Sequence, residues 1–253
     1  MQSIHFLGRV LPTPAQVTIP YRRSVKWEQA DIGLVMEFTC KIENSKIDVE
    51  CRTEKYRPEH LDEFYRRALD ICRAQVDLVA FKMGWGLTVV IETFIDSNGI
   101  TSQIFQKDDR LASLCTAFSL DQGFDELCVK VIQTVPLFMA LRDLIASISL
   151  PHVAPVDCAR AMDRLKHLVA TPGTKDKQAW QQFRQALQID EAYLKYITDC
   201  SANPRHGKPG YTPGTVTTEV SRRAWIIMNR YFEYLKRGNV VLDPAEFPLL
   251  IDP

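Results

Sequence analysis

The first half of the chain carries the period-two alternation of apolar and polar side chains that half-buried β-strands show. The alternation is clearest in Lys46–Thr53, where Ile47, Val49 and Cys51 lie on one side and charged residues on the other. The other predicted strands are Ser3–Leu11, Gln16–Ile19, Gly33–Ile42, Leu87–Ile95 and Ile100–Phe105. An Asn-Gly pair between the last two supplies the positive φ angles of a tight hairpin turn. We therefore expect an antiparallel β-sheet.

One long helix interrupts these strands. Apolar residues recur at helical spacing from Pro58 to about Met83. Pro58 stands in the first-turn position that proline favours, and Gly84 is suited to ending the helix. We expect this helix, residues 58–83, to pack on the sheet.

The second half of the chain shows helical periodicity alone. The predicted helices are Phe124–Val135, Leu137–Ile148, Val156–Val169, Gln178–Leu187, Glu191–Cys200 and Thr215–Gly238. Residues 201–214 hold three prolines and three glycines, so no regular element is expected there. The tail is apolar and is expected to dock on the helices. The sequence thus predicts an α+β fold: a β-rich N-terminal domain with one long helix, residues 1–108, followed by an all-α helical bundle, residues 109–253.

Composition and charge limit the classes of function. Lys plus Arg equals Asp plus Glu at 31 each, so binding to nucleic acid or membrane would need a local patch. The seven cysteines contain no CxxC pair, which argues against a disulfide framework or zinc site and favours reduced thiols in the cytoplasm. The five histidines show no ligand spacing, so we expect no metal and no cofactor. The apolar stretches are shorter than the roughly 20 residues that span a membrane, and no membrane association is expected.

The candidate chemistry is concentrated just before the last helix. The predicted loop Asn203–Lys208 places an imidazole, a guanidinium and an ammonium side by side. Histidine can pass a proton near neutral pH, and arginine can hold a phosphate with a two-pronged fork. We interpret His206 as a candidate general acid or base, with Arg205 and Lys208 as phosphate clamps. The alternative is a solvated loop whose polar groups cap the flanking helices.

The last predicted helix adds further cations. Arg223, Arg230 and Arg237 are spaced by seven and line one stripe, and Arg222 lies on the adjacent one. Residues 195–237 include eight basic and three acidic side chains, a local basic patch of the kind that nucleic-acid surfaces show. We expect Arg222, Arg223 and Arg230 to contact phosphate. The alternative is a solvated face with arginine stems lying over apolar neighbours.

A second pair of polar residues lies on the third helix of this half. Asp163 and His167 are four residues apart and therefore neighbours on one helical face. They are candidate supporting residues, either as an acid–base pair or as groups that orient His206. A simple surface hydrogen bond is the alternative.

The second half also resembles a known superfamily. The run Asp157–Leu168 (DCARAMDRLKHL) and the Arg205-His206-Gly207 sequence are similar to HEPN domains, helical nucleotide-binding domains of higher eukaryotes and prokaryotes. The version it resembles is the C-terminal domain of bacterial defence-related proteins that carry a β-rich N-terminal domain. The resemblance implies a homodimer through the helical domain that binds RNA or a nucleotide, with RNase activity in a bacterial defence or stress system as one possibility. Nuclease members place a short spacer between arginine and histidine, which this chain lacks. A non-catalytic interaction or dimerisation module therefore stays open.

Overall fold

The α+β fold class is confirmed by a computed structural model, which describes residues 1–20, 24–29, 33–54, 56–105, 107–208 and 212–252. The chain forms two compact units, residues 1–105 and 106–253. The first holds a six-stranded sheet and a long helix, and the second holds a set of packed helices.

The sheet of the first unit is antiparallel throughout, in the order β2-β3-β4-β1-β5-β6. Its strands are β1 (Gln2–Leu11), β2 (Val25–Gln29), β3 (Leu34–Glu43), β4 (Lys46–Thr53), β5 (Thr88–Ile95) and β6 (Thr101–Gln103). The prediction of a strand at Gln16–Ile19 is wrong, because only Ile19 forms a bridge there. Pro12, Pro14 and Pro20 crowd this segment, and proline cannot donate to a ladder.

One helix covers one face of the sheet, as predicted. Helix α1 (Leu61–Met83) follows a short 3-10 turn at Pro58–His60 and ends at Gly84, whose φ of 66° is left-handed. Phe64, Ala68, Cys72 and Val76 form its buried stripe and join the sheet's apolar side chains in one core. The period of 3.6 in the sequence therefore identified the packed face correctly.

The second unit contains seven helices within its described residues: α2 (Asp109–Ser113), α3 (Phe124–Gln133), α4 (Val135–Ser149), α5 (Ala154–Val169), α6 (Asp176–Leu187), α7 (Glu191–Arg205) and α8 (Gly214–Lys236). Helix α5 lies at the centre and contacts α4, α6, α7 and α8. Its small or unbranched side chains Cys158, Ala161 and Met162 are fully buried and let the neighbouring helices approach closely.

Helix α7 extends further than predicted, into the segment 201–214 that was expected to hold no regular structure. Pro204 lies inside its last turn. The turn is closed by a Schellman arrangement, in which Gly207 N–H donates to the Pro204 carbonyl at 3.2 Å and Lys208 N–H to the Asn203 carbonyl at 3.1 Å. Gly207 has a φ of 63°, which glycine adopts without a Cβ clash. Proline lacks an N–H but keeps its carbonyl, so Pro204 can still accept one of the bonds that close the turn.

The C-terminal tail docks on the helices, as expected. Leu242 is fully buried, and Leu250 exchanges backbone hydrogen bonds with the α6–α7 connection: its carbonyl accepts from Asp190 at 2.8 Å and its N–H donates to Gln188 at 2.9 Å. Across the ranges described, no single helix is long and apolar enough to cross a membrane. Helices α3 and α4 would qualify only as a pair, with a bend of 109° between them.

Candidate functional site

Three of the residues predicted from the sequence line one cleft of about 360 Å³ in the helical unit: Asp163 on α5, Arg205 on α7, and His206 just beyond it. The remaining lining residues are Trp180, Arg184, Glu191, Leu194, Lys195, Thr198, Ser201 and Ala202. Ligand sites in proteins commonly measure about 300–1,000 Å³, so the cleft has the size of a small-ligand site.

Helix α7 forms one wall of this cleft. Lys195, Thr198, Ala202 and Arg205 follow the helical repeat and share one face. An Arg205 Nη donates to the hydroxyl of Ser201 at 3.3 Å, and Ser201 is itself buried. This contact directs the guanidinium along the cleft wall. His206 occupies the C-cap position of the helix and is exposed at the rim.

Three of the charges that line the cleft are neutralised by neighbours. Arg184 pairs with Glu191 at 2.8 Å, and Asp163 accepts a hydrogen bond from Lys166 at 3.1 Å. Within the part of the chain that the structure describes, Lys195 and Arg205 form no ion pair. The cleft therefore presents uncompensated positive charge on its α7 wall, which is the arrangement that attracts an anion.

The opposite wall is built around Trp180 of α6. The Lys166 ammonium lies 4.3 Å from the centroid of the indole ring, in a cation–π contact. The same ammonium donates to Asp176 at 2.6 Å, and this hydrogen bond lowers the pKa of the Asp176 carboxyl. Lys166 is only 3% exposed, so it is a structural group beneath the ring and not a surface cation.

The expected pairing of Asp163 with His167 is not what the structure holds. Asp163 takes Lys166 as its partner, while His167 is exposed and does not line the cleft. No hydrogen bond joins Asp163 to His167 in the described ranges. The four-residue spacing places both side chains on the same helix face, but Lys166 is buried between α5 and α6 and its charge requires a nearby carboxylate.

Two of the arginines expected on a basic surface lie inside the protein. Arg223 is 3% exposed: its guanidinium pairs with Glu219 at 2.7 Å and Asp252 at 2.6 Å, and stacks 4.1 Å from the Tyr196 ring centroid. Arg230 is 8% exposed and donates to three backbone carbonyls, those of Leu187, Gln188 and Pro248. Both tie α8 to its neighbours, which corrects the expectation that they form a phosphate-binding surface.

The other two predicted phosphate contacts, the half-buried Arg222 and the exposed Lys208, do not line the cleft. Arg222 is held by Glu219 through two hydrogen bonds of 2.8 Å. These bonds, with a further one from Arg223, hold the pKa of Glu219 at about 2. Lys208 is exposed in the capping turn after α7 and is not a lining residue.

Sequence reasoning did not single out three groups of the cleft: Trp180, Arg184 and Lys195. Lys195 and Arg205 share one face of α7 because the helix runs on to Arg205, beyond the end at Cys200 that the sequence predicted. No signal in the sequence relates Trp180 and Arg184 to α7, since it is the packing of α6 and α7 on α5 that brings them to the same cleft.

Comparison with known proteins adds a family. No curated protein and no solved structure matches the chain. Residues 4–105 match the N-terminal domain, and residues 124–236 the C-terminal domain, of DUF8168, which is described as a domain of unknown function. The two matches together cover most of the chain and the larger part of each structural unit. The chain belongs to the DUF8168 family.

Proposed function

We propose that the cleft between α5, α6 and α7 binds the phosphates of RNA or a nucleotide, and that His206 transfers a proton to or from the bound ligand. The observation that carries the proposal is the pair of unneutralised cations, Lys195 and Arg205, on the same wall as an exposed imidazole. Charged clefts with low-dielectric walls concentrate ligands of opposite charge.

The spacing of the cations favours an extended ligand. Lys195 and Arg205 are ten residues apart, which is about 15 Å along a helix axis, a length that about four stacked nucleotides cover. At this separation the two cations can each contact a different phosphate of one strand. The Arg205 guanidinium makes one side-chain hydrogen bond, to Ser201, and so retains other N–H groups for an anion.

The placement of His206 suits proton transfer at the end of such a strand. Its ring is exposed beside Arg205, so it can reach a ribose hydroxyl or a departing oxygen while the arginine holds the phosphate. No carboxylate orients the imidazole in the ranges described. The geometry thus supports binding more directly than cleavage, and the two are tested separately.

Binding is tested by fluorescence anisotropy of a labelled single-stranded RNA. The double variant Lys195→Gln/Arg205→Gln is expected to lose at least tenfold in affinity and to show a shallower salt dependence, because fewer counterions are released. Lys177→Gln is the matched control, since Lys177 is an exposed cation of α6 outside the cleft. Equal affinities for wild type and double variant would contradict the proposal.

Proton transfer is tested by incubating the same RNA with wild type and His206→Ala at matched stability. Loss of cleavage in the variant with retained binding supports the role of His206. Cleavage that persists in His206→Ala, or binding without cleavage in wild type, removes the catalytic part and leaves a binding protein.

A second candidate, a homodimerisation module, is favoured by exposed apolar residues on α3 and α4. Val129, Ile132 and Val135 are 51%, 71% and 69% exposed. Contiguous apolar surface of this kind marks interfaces in proteins. An antiparallel pairing of two α3 helices about Cys128 would place Glu126 of one copy beside Lys130 of the other, on the same flank. Neither charge forms an ion pair among the described residues.

The dimer is tested by light scattering after size-exclusion chromatography. Lys130→Glu is expected to weaken the dimer through like-charge repulsion, and Glu126→Lys/Lys130→Glu to restore it, because the swapped charges again oppose each other. A monomeric wild type, or a charge swap that restores nothing, would overturn this interface.

The cellular setting is proposed on the sequence. Seven free cysteines without a CxxC pair suit a reducing cytoplasm. A place in a bacterial defence or stress system rests on the resemblance of the helical half to HEPN domains. The cytoplasmic location and the defence role are both consistent with the proposed RNA or nucleotide ligand.

A further inference from the structure

We infer that Trp180 is a stacking platform for one unpaired base, so that the cleft selects single-stranded RNA over duplex RNA. This inference rests on the proposed binding of RNA or a nucleotide in the cleft. It adds a recognition element on the α6 wall, where the proposed function used only the α7 wall.

The indole of Trp180 is held in place on two sides. The Lys166 ammonium lies 4.3 Å from the ring centroid and covers one face. Phe183 meets the indole at an interplanar angle of 69° and a centroid distance of 5.9 Å, an edge contact. Trp180 is half-buried and lines the cleft, so the part of its ring that Lys166 and Phe183 leave uncovered is the part a ligand would contact.

Lys166 keeps the ring in this orientation. Its ammonium is anchored by Asp176 at 2.6 Å and Asp163 at 3.1 Å, and it is almost fully buried. A cation fixed beneath an indole limits the movement of the ring, so little conformational entropy remains to be lost when a flat ligand stacks on it. Trp180 is therefore a preorganised surface and not a mobile side chain.

The two walls together define the ligand. Phosphates would lie along α7 beside Lys195 and Arg205, and a base would reach across to Trp180. A base inside a duplex is already stacked on both sides and cannot offer its face to a protein, whereas bases of single strands stack readily on aromatic side chains. The combination of cations and an aromatic face thus points to an unpaired strand.

The test uses three RNAs of equal length: a single strand, the same strand with abasic sites, and its duplex. Stacking of one base on an aromatic side chain accounts for about 5- to 150-fold in affinity. Wild type is expected to bind the intact strand more tightly than the abasic strand or the duplex by a factor in this range. Trp180→Ala is expected to bind the intact and abasic strands equally, and Trp180→Phe to retain part of the preference.

Intrinsic fluorescence supplies a second measurement. The intact strand is expected to quench the tryptophan emission of wild type, and this quenching is expected to disappear in Trp180→Phe, which keeps the other three tryptophans. Wild type that binds the abasic strand as tightly as the intact one would overturn the stacking while leaving the phosphate site intact. Failure of wild type to bind any of the three RNAs would overturn the proposed function and this inference with it.

Discussion

Arg230 is expected to fix the C-terminal tail, and Arg230→Met to destabilise the helical unit by about 2–3 kcal/mol. The guanidinium donates to the carbonyl oxygens of Leu187 at 2.9 Å, Gln188 at 2.7 Å and Pro248 at 2.6 Å. Methionine keeps the apolar stem and removes all three donors. The Gln188 oxygen retains the Leu250 N–H as a partner, and Pro248 is exposed and can be hydrated. Most of the cost therefore comes from the buried Leu187 carbonyl.

Urea unfolding followed by circular dichroism measures this difference in the free energy of unfolding. Arg237→Met is the matched control: Arg237 contacts the same tail through Glu246, but its side chain is 39% exposed, so a loss below about 1 kcal/mol is expected. Hydrogen exchange at the Leu250 amide should accelerate in Arg230→Met alone. The reasoning is refuted if Arg230→Met unfolds like wild type but binds RNA more weakly, because Arg230 would then be a surface phosphate contact.

Three further predictions, one with a control substitution, test the packing. The Arg222 guanidinium holds the pKa of Glu219 at about 2, below its usual 4.5. Wild type should therefore be more stable than Glu219→Gln above pH 4.5, by at most about 3 kcal/mol, and this difference should vanish as the pH falls toward 2. A difference in stability that does not change with pH would contradict this. Gly8→Ala should lower the melting temperature sharply, because the added Cβ would lie 2.0 Å from a carbonyl oxygen of β5, whereas Gly86→Ala meets nothing within 4 Å and should leave it nearly unchanged. Asp143→Asn should cost about 1–3 kcal/mol in urea unfolding, because this buried carboxylate accepts from two partly exposed arginines of α5 that an amide cannot neutralise.

Strands and helices whose apolar residues recur regularly along their whole length could be predicted from the sequence. Lys46–Thr53 and the 58–83 helix have a clean alternation or stripe, and both appear with the expected buried side chains. Strand β2 was missed because it lies at the sheet edge with Val25 and Trp27 exposed, which leaves little hydrophobic signal. The extra turn of α7 was missed because the prolines and glycines of residues 201–214 indicated no regular element, whereas the bonds that close the turn use the carbonyls of Asn203 and Pro204.

The cleft was only partly predictable, for a different reason. Periodicity states which residues share a helix face, but not whether that face meets solvent or another element. Arg223 and Arg230 lie on one stripe, as the sequence indicates, and that stripe meets α7 and the C-terminal tail. Nothing in their spacing distinguishes a surface row from an internal one, because backbone carbonyls that accept from arginine have no signature in the sequence.

Whether a cation has a partner in the fold distinguishes a structural role from a ligand-binding role in this chain of zero net charge. A guanidinium that loses water on folding needs replacement partners, and Arg223 and Arg230 have them in carboxylates, carbonyls and aromatic rings. Counting charges along the sequence favours α8, which holds Arg222, Arg223 and Arg230, yet all three already have partners in the fold. Helix α7 holds fewer cations, but its Lys195 and Arg205 have no carboxylate partner in the described ranges. Both line the cleft, whose opposite wall carries the Trp180 ring. A ligand can gain only from cations that folding has left uncompensated, so α7 and not α8 is the helix on which mutagenesis should begin.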